Sequence, residues 1–383
     1  MMPADLAGEA LWLPLIFMLL MGVAMFAYVI LDGYDLGVGM LLPWAANDAE
    51  RDLMIASIGP FWDANETWLV LGVGILLVAF PMAHGVILTS LYLPVAVMLA
   101  GLILRGVAFD FRVKARAAHK PAWDRAFFVG SLMASISQGV MLGLLVTAFD
   151  HSLLNWLFAL GIGFGLAGGY VLLGAGWLIM KTDHGLQTRA GGWARHGLIM
   201  AALGIAGVSL ATPLVSPQIF AKWFSFPNIL ALAPIPLMTA LLVGLLFLFT
   251  RRLQRDLQQG NARGVARWIW TPFAGAVGLF SLAFFGLAYS LFPWLVLDRI
   301  TIWDAASAPE SLKFILVGVV IVLHDINMAS RYCDELMALH SGRLLAHGSP
   351  HELMRDSTLE AIYGLPMQVI RHPNGEHNIA VAQ

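Results

Sequence analysis

Charge is what this chain of 383 residues has least of, after cysteine. Asp, Glu, Lys and Arg make up 12% of it and 59% is hydrophobic, with a mean hydropathy of +0.77. A soluble domain carries roughly 25% charge, so water-facing globular classes are excluded and a multi-span membrane protein is expected. Net charge is only −2. The basic residues are spread over short loops rather than one patch, which argues against a nucleic-acid partner. The single cysteine, Cys333, excludes an internal disulfide framework and a thiolate metal cluster. The chain also lacks a C-x-x-C-H for haem attachment and a G-x-x-x-x-G-K-[ST] loop for nucleotide phosphates. No short hydrophobic segment followed by a small-residue cleavage site is seen. The first apolar run, Leu11 to Leu31, is therefore read as a retained helix.

What the chain does have is long apolar runs. Eight are long enough to cross a bilayer, at roughly 11–31, 53–80, 82–109, 126–149, 153–180, 197–216, 228–250 and 270–293. A ninth, Leu312 to Leu323, would cover roughly 18 Å of a hydrocarbon core about 30 Å thick and is too short to span alone. The expected fold is an all-α polytopic membrane protein with eight full spans and a truncated ninth. Odd-numbered loops carry Arg51; Arg112, Lys114, Arg116, Lys120 and Arg125; Lys181, Arg189 and Arg195; and Arg251, Arg252, Arg255, Arg263 and Arg267. Even-numbered loops before the ninth run hold only Lys222 and Arg299. That bias places the odd loops in the cytoplasm and the N-terminus outside. Gly161, Gly165 and Gly169 recur on one face of the fifth span, where a neighbouring helix would approach closely.

From His324 the pattern changes to that of a soluble α/β fragment. Val319 to Leu323 reads as a buried strand and Met328 to Leu336 as a helix. Met337 to Leu339 and Arg343 to His347 flank a Ser341-Gly342 turn. Ser349, Pro350 and Glu352 read as a capping box opening a helix through about Tyr363. This segment is too small to bury a solid core alone. The expected domains are residues 1–318, embedded in the membrane, and residues 319–383, a tail.

Candidate chemistry centres on the second span. Asp63, Asn65 and Glu66 lie together between Trp62 and Trp68. An unpaired carboxylate near the bilayer centre costs about 3 kcal/mol on insertion scales. If the span opens near Leu53, Asp63 lies about 15 Å deep, behind a Gly59-Pro60 interruption of the backbone ladder. The functional reading is a proton relay in which Asp63 exchanges protons while Asn65 and Glu66 orient water; the alternative is a buried polar knot holding helices together. Asp32 and Asp35, amid Gly33, Gly37 and Gly39, read as the flexible cytoplasmic end of the first span and as a proton entrance, with ordinary interfacial polarity as the alternative. Arg105, followed by Asp110 and Arg112, reads as one half of a structural ion pair, grouped with Asp110, though Asp35 and Asp63 are also within its scope. Histidines fall at the ends of spans, in loops and in the tail, and isolated methionines such as Met18, Met25 and Met98 are packing residues. No haem or metal is expected on this chain itself.

Three segments together carry a resemblance. They are Asp32-Gly33-Tyr34-Asp35-Leu36-Gly37-Val38-Gly39, Trp62-Asp63-Ala64-Asn65-Glu66-Thr67-Trp68, and Arg105 followed by Phe109-Asp110-Phe111-Arg112. Over roughly residues 8–318 the chain resembles subunit II of cytochrome bd-type quinol oxidases. The Trp123 to Gly143 stretch, with Ser137-Gln138-Gly139, is similar to the cyanide-insensitive branch. Ala64 departs from the family's usual glycine. The resemblance implies two four-helix bundles and a peripheral ninth helix in a bacterial inner membrane. It also implies a heterodimer with a subunit I that holds haems b and d and the quinol site, alongside lipid and a possible small accessory subunit. Such a complex oxidises quinol and reduces dioxygen to water with cytoplasmic protons, and the aspartate of the Trp-Asp motif, here Asp63, lies on the proton path.

The tail resembles something else. Val322-Leu323-His324-Asp325-Ile326-Asn327, Arg331-Tyr332-Cys333-Asp334 and Ser341-Gly342-Arg343 are similar to the C-terminal end of an iron-siderophore or haem ABC-importer ATPase, with His324 at the position of its switch histidine. Without a phosphate-binding loop no ATPase activity is expected, and the chain reads as a hybrid joined near residues 315–323. Two other functional readings stand beside the oxidase one. A proton- or ion-coupled transporter also places carboxylates and broken helices at mid-membrane, and the tail alone suggests a membrane-tethered piece of an ABC importer.

Overall fold

The computed structural model describes residues 8–321 except 216, together with 336–340, 343–363, 366–371 and 378–382. It divides into two compact units, Met1–Ser307 and Ala308–Gln383. The division falls ahead of the 318/319 boundary read from the sequence, so the ninth apolar segment belongs to the second unit.

In the first unit the long helices are α1 (Glu9–Leu41), α3 (Trp62–Ala79), α5 (Tyr92–Lys114), α6 (Lys120–Val146), α7 (Leu153–Lys181), α8 (His184–Val215), α11 (Pro234–Gln259) and α13 (Thr271–Leu291). Shorter helices lie between them: α2 (Asp48–Ile58), α4 (Pro81–Ser90), α9 (Pro217–Phe224), α10 (Asn228–Leu232) and α12 (Ala262–Trp268). Eight helical segments are long and apolar enough to cross a membrane, as expected from hydropathy. Helices α1, α3, α5 and α6 form one four-helix bundle, and α7, α8, α11 and α13 form another; α7 joins the two by packing on α1 and α6.

That junction is set by small residues. A Cβ placed on Gly37 of α1 would collide with the Tyr170 carbonyl of α7, and one on Gly174 would collide with the Gly37 backbone. Glycine in a helix interior costs about 0.5–1 kcal/mol relative to alanine. Here the cost is offset by backbone contact between two spans. The Gly161/Gly165/Gly169 stripe only partly follows its expected role. Gly165 meets Gly204 of α8 and Gly169 meets the Phe280 ring, whereas Gly161 faces open space.

Two span boundaries differ from the sequence reading. The first span does not end at Leu31 but continues as helix to Leu41. The second does not begin near Leu53. Residues 48–58 form a separate helix, capped by the Asn47 side chain on the Glu50 amide, and α3 starts afresh at Trp62. Asp48, Glu50 and Arg51 are too polar for a bilayer, so Gly59-Pro60 ends an amphipathic helix rather than kinking a span.

At the opposite end of the unit, α13 leads into a small antiparallel pair, β1 (Trp294–Val296) and β2 (Ile300–Thr301), and a one-turn helix α14 (Ile302–Ala305) with a Thr301/Asp304 capping box. Trp303 Nε1 donates to the Leu11 carbonyl at 3.0 Å, closing this end over the start of α1. Lys222 donates to the Phe292 carbonyl at 2.6 Å and caps the end of α13.

The second unit opens with α15 (Pro309–Ile321), 13 residues long. Val319 to Ile321, read as strand from their β-branching, are therefore helical. The remainder of that run and the residues read as a helix at 328–335 lie outside the described residues, and Leu336 opens a strand. β3 (Leu336–His340) and β4 (Arg343–Gly348) form the expected antiparallel hairpin. The capping box of Ser349 and Glu352 is present with Pro350 in the first turn. The helix it opens stops at Leu353, however: α16 (Pro350–Leu353) and α17 (Asp356–Tyr363) are separate. A further pair, β5 (Met367–Arg371) and β6 (Asn378–Ala382), is antiparallel as well; the sequence reading missed it, although Asn374-Gly375 between the strands is a turn signal.

Candidate functional site

Helices α1, α3 and α5 bring one cluster of charge together inside the first bundle. Asp32 and Asp35 are fully buried, and Arg105 is 0% exposed. Arg105 Nη1 donates to Asp32 Oδ1 at 2.6 Å, and Nη2 lies 3.4 Å from Glu66 Oε1. The guanidinium also stands 5.9 Å from the centre of the Trp62 ring. A buried cation is tolerated only when paired, and Asp32 supplies the pairing. Asn65 Nδ2 reaches Asp35 Oδ2 at 2.8 Å and the Tyr34 hydroxyl at 2.9 Å. Three carboxyl groups, Asp32, Asp35 and Glu66, thus share one guanidinium. Asp35 Oδ1, Glu66 Oε1 and Arg105 Nε accept or donate no hydrogen bond among the described residues.

Several expected positions are corrected by this geometry. Asp32 and Asp35 do not sit at a flexible helix end. They lie in continuous helix, nine and six residues before Leu41, about 13 and 9 Å from its end, and the glycines around them serve tight packing. Arg105 does not pair with Asp110, which is exposed on the far side of α5; helical periodicity puts residues five apart on different faces. Its partners come from other spans, Asp32 and Glu66. Asp63 is not deep in a span. It occupies the first turn of α3 and is exposed, because the helix begins nine residues later than hydropathy implied. Glu66, one turn further, has a side chain 28% exposed and so links the surface of α3 to the buried pair. Asn65 binds protein groups, including the Leu31 carbonyl at 3.3 Å.

A second, uncharged chain continues from this cluster towards α6 and α7. Gln138 Nε2 donates to the Tyr28 hydroxyl at 2.7 Å, and the Tyr170 hydroxyl donates to Gln138 Oε1 at 2.6 Å. Tyr34 stacks on Trp177 with centroids 4.3 Å apart. Tyr28 and Tyr170 carry no signal of their own in the sequence, and Tyr34 enters it only within the Asp32–Gly39 segment. The one available signal was Gln138, an amide in the middle of an apolar span.

Below the cluster, α2 is tied to the spans by ion pairs. Arg112 contacts Asp124 and bonds Asp52 at 2.5 Å, Lys120 reaches Asp52 at 3.3 Å, and Arg189 pairs with Glu50. The Arg112 hydrogen bond, outweighing partial burial and helped by Lys120, holds the Asp52 carboxyl below the usual carboxylate range. Among the described residues no group of three His, Cys, Asp or Glu side chains is arranged to hold a metal ion.

With this architecture and site in hand, comparison with known proteins is decisive. The profile of the cytochrome bd terminal oxidase subunit II family matches residues 13–333, and the chain belongs to that family. It is 34% identical over 211 residues to cytochrome bd-I ubiquinol oxidase subunit 2 of Escherichia coli K12. It is 40% identical over 133 residues to cytochrome bd ubiquinol oxidase subunit 2 of Bacillus subtilis 168. The first match covers 50% of this chain and 56% of the relative, the second 34% and 38%. The chain thus spans about half the length of the curated relatives it matches. The fold is that of a chain in the bd oxidase structure from Geobacillus thermodenitrificans, with a TM-score of 0.59 at 16% identity, covering 80% of this chain and 93% of that one. The tail has a different relative. The C-terminal 66 or so residues are 45% identical to the hemin import ATP-binding protein HmuV of Pseudomonas aeruginosa, a match covering 17% of this chain and 26% of that protein. The chain is a hybrid of the two sequence types.

Proposed function

We propose that this chain is the non-haem subunit of a complex that oxidises quinol and reduces dioxygen to water. In this reading it pairs with a haem-bearing subunit I and helps bring protons from the cytoplasm to the oxygen-reducing site. The observation that carries the proposal is the carboxyl cluster around Arg105, reached from the outer face of α3 through Glu66. Three buried or half-buried carboxyls on one cation form a site that gains or loses protons at modest cost, since each uncompensated charge is expensive there. Asp63, exposed one turn before Glu66 and interacting with it, is the outer member of the relay. Asp35, tied to Asn65 and Tyr34, is the inner one.

One further feature supports a partner on this face. Asp63, Glu66 and Thr67 break the otherwise apolar outer surface of α3, and carboxylates left against lipid are costly. In this reading haem belongs to the partner. Among the described residues, His119, His151 and His196 are exposed, and the Met25 thioether is packed against Gly72. The odd-numbered loops carry nearly all the loop basic residues, which supports an inner-membrane orientation with the N-terminus outside. The tail covers only about a quarter of the ATP-binding relative and has no phosphate-binding loop, so no ATPase role is proposed for it. A transporter reading has no support beyond the carboxylates, which family membership accounts for.

The test is purification through this chain. Haem absorption and quinol-dependent oxygen uptake in the isolated complex support the proposal; a stable, haem-free, oxygen-inert protein overturns it.

A further inference from the structure

We infer that the arginine-bearing turn between α11 and α12 binds the phosphate of an anionic phospholipid, whose acyl chains lie along the exposed leucines of α11.

Arg251, Arg252 and Arg255 lie in the last turns of α11, and Arg263 and Arg267 lie on α12. All five are exposed, and none has an ion-pair partner among the described residues. Other cations at the ends of spans behave differently: Arg51, Arg112, Lys120 and Arg189 each meet a carboxylate. The one acidic residue in 251–270 is Asp256, and it is engaged by Asn261 Nδ2 at 3.0 Å.

The turn holds these arginines together. Gly260 closes α11 in the left-handed conformation, with φ 65°, and Asn261 caps α12 by accepting from the Gly264 amide at 3.3 Å. With α12 turned in this way, the Trp268 ring stacks on Phe249 with centroids 4.7 Å apart. Arg252 of α11 and Arg267 of α12 stand 6.0 and 5.1 Å from the centre of the Trp268 ring. Guanidiniums from two helices thus gather around one aromatic side chain. Like charges so placed repel, and no free carboxylate is near to relieve them. A phosphate diester relieves them, because its oxygens match the guanidinium fork.

The source of that phosphate is indicated by the surface leading to it. Leu241, Leu245 and Leu248 are exposed and spaced to share one face of α11, and the same spacing continues to Arg252 and Arg255. The face turns from apolar to basic over about 6 Å of helix. That order fits an acyl chain ending in a charged headgroup, whereas a soluble acidic protein or free phosphate leaves the leucines uncovered. Trp268 and Trp270 follow directly in the chain, as aromatic residues do at a membrane–water boundary. Clusters of roughly four to eight basic residues just beyond a span attract anionic lipid. The face proposed above for the haem-bearing partner lies on α3, so this surface is built from other residues.

The experiment uses the full chain, purified and reconstituted into phosphatidylcholine vesicles with a trace of photoreactive phospholipid. Two probes carry the same reactive group on the acyl chain and differ only in headgroup, phosphatidylglycerol or phosphatidylcholine. Labelled peptides are mapped by mass spectrometry. The phosphatidylglycerol probe is expected to label residues 237–270 about tenfold more than the other, and Arg252→Gln with Arg267→Gln to lower that ratio about fivefold or more. Arg116→Gln with Arg125→Gln removes the same charge from another loop and leaves the ratio unchanged. All four arginines are exposed, so neither double variant disturbs the packed interior. Equal labelling of this stretch by the two probes overturns the inference, as does an equal fall in both double variants, which reduces the selection to diffuse attraction. A soluble protein seated on the arginines shields them from both probes alike and overturns it too. Neither arm reads oxygen uptake, so lipid selection and the oxidase proposal are tested separately.

Discussion

Arg105 and Asp32 stand 73 residues apart in the chain and meet at 2.6 Å with neither side chain reaching solvent. Between them they pin α5 to α1 and fix where the remaining carboxyls, Asp35 and Glu66, find compensation. The first bundle is thus built around a charge pair rather than a purely apolar seam.

Removing one member of that pair leaves the other buried alone. Arg105→Met is expected to destabilise the subunit by about 3–5 kcal/mol, whereas Arg105→Met combined with Asp32→Leu recovers most of the loss. Thermal unfolding of detergent-solubilised complex measures both. A double variant no more stable than Arg105→Met contradicts the pairing as the cause.

Glu66→Gln keeps shape but cannot exchange a proton. Oxygen consumption is expected to fall by about tenfold or more with the haem spectrum of the complex intact. Asp63→Asn is expected to lower it less, because Asp63 is exposed and water shares its task. Wild-type turnover in Glu66→Gln reduces the cluster to a structural knot.

Gly37→Ala tests the junction of the two bundles. The added methyl meets the Tyr170 carbonyl, so α1 and α7 must part, at an expected cost of about 1–3 kcal/mol. Gly161→Ala, on the same kind of span but facing open space, serves as the control and is expected to leave the unfolding temperature unchanged.

Asp52 predicts an acid sensitivity of the α2 clamp. Its folded carboxyl lies below its ordinary value of 3.8, so its pairing with Arg112 and Lys120 stabilises fully above that value. The contribution is lost as pH falls through the lower folded value. Asp52→Asn therefore flattens the acid end of the stability-versus-pH curve, read by thermal unfolding across that range. A curve as steep as wild type contradicts this.

How far the sequence discloses this molecule follows the range of each interaction. The eight spans are legible because hydropathy is a local property, and the Ser349 capping box because it is complete within four residues. The end of α1 is not legible: Asp32 and Asp35 interrupt the apolar run, and what makes them tolerable, Arg105 and Asn65, lies on other spans. The start of α3 is hidden for the converse reason, since Met54, Ile55 and Ile58 lend α2 enough hydrophobicity to merge with the next helix. Hydropathy alone consequently puts Asp63 too deep and ranks Glu66 behind it, in a cluster where Glu66 is the link. Sequence offers Arg105 three partners, Asp110 nearby and Asp35 and Asp63 on other spans, whereas the fold supplies Asp32 from the first helix and Glu66 from α3.

The central claim is tested most directly by one reduced-minus-oxidised absorption spectrum of the complex isolated through this chain, taken with its quinol-dependent oxygen uptake. The account predicts haem absorption in fixed proportion to the chain, with uptake that Glu66→Gln suppresses. A pure, stable protein without haem absorption or oxygen uptake contradicts it.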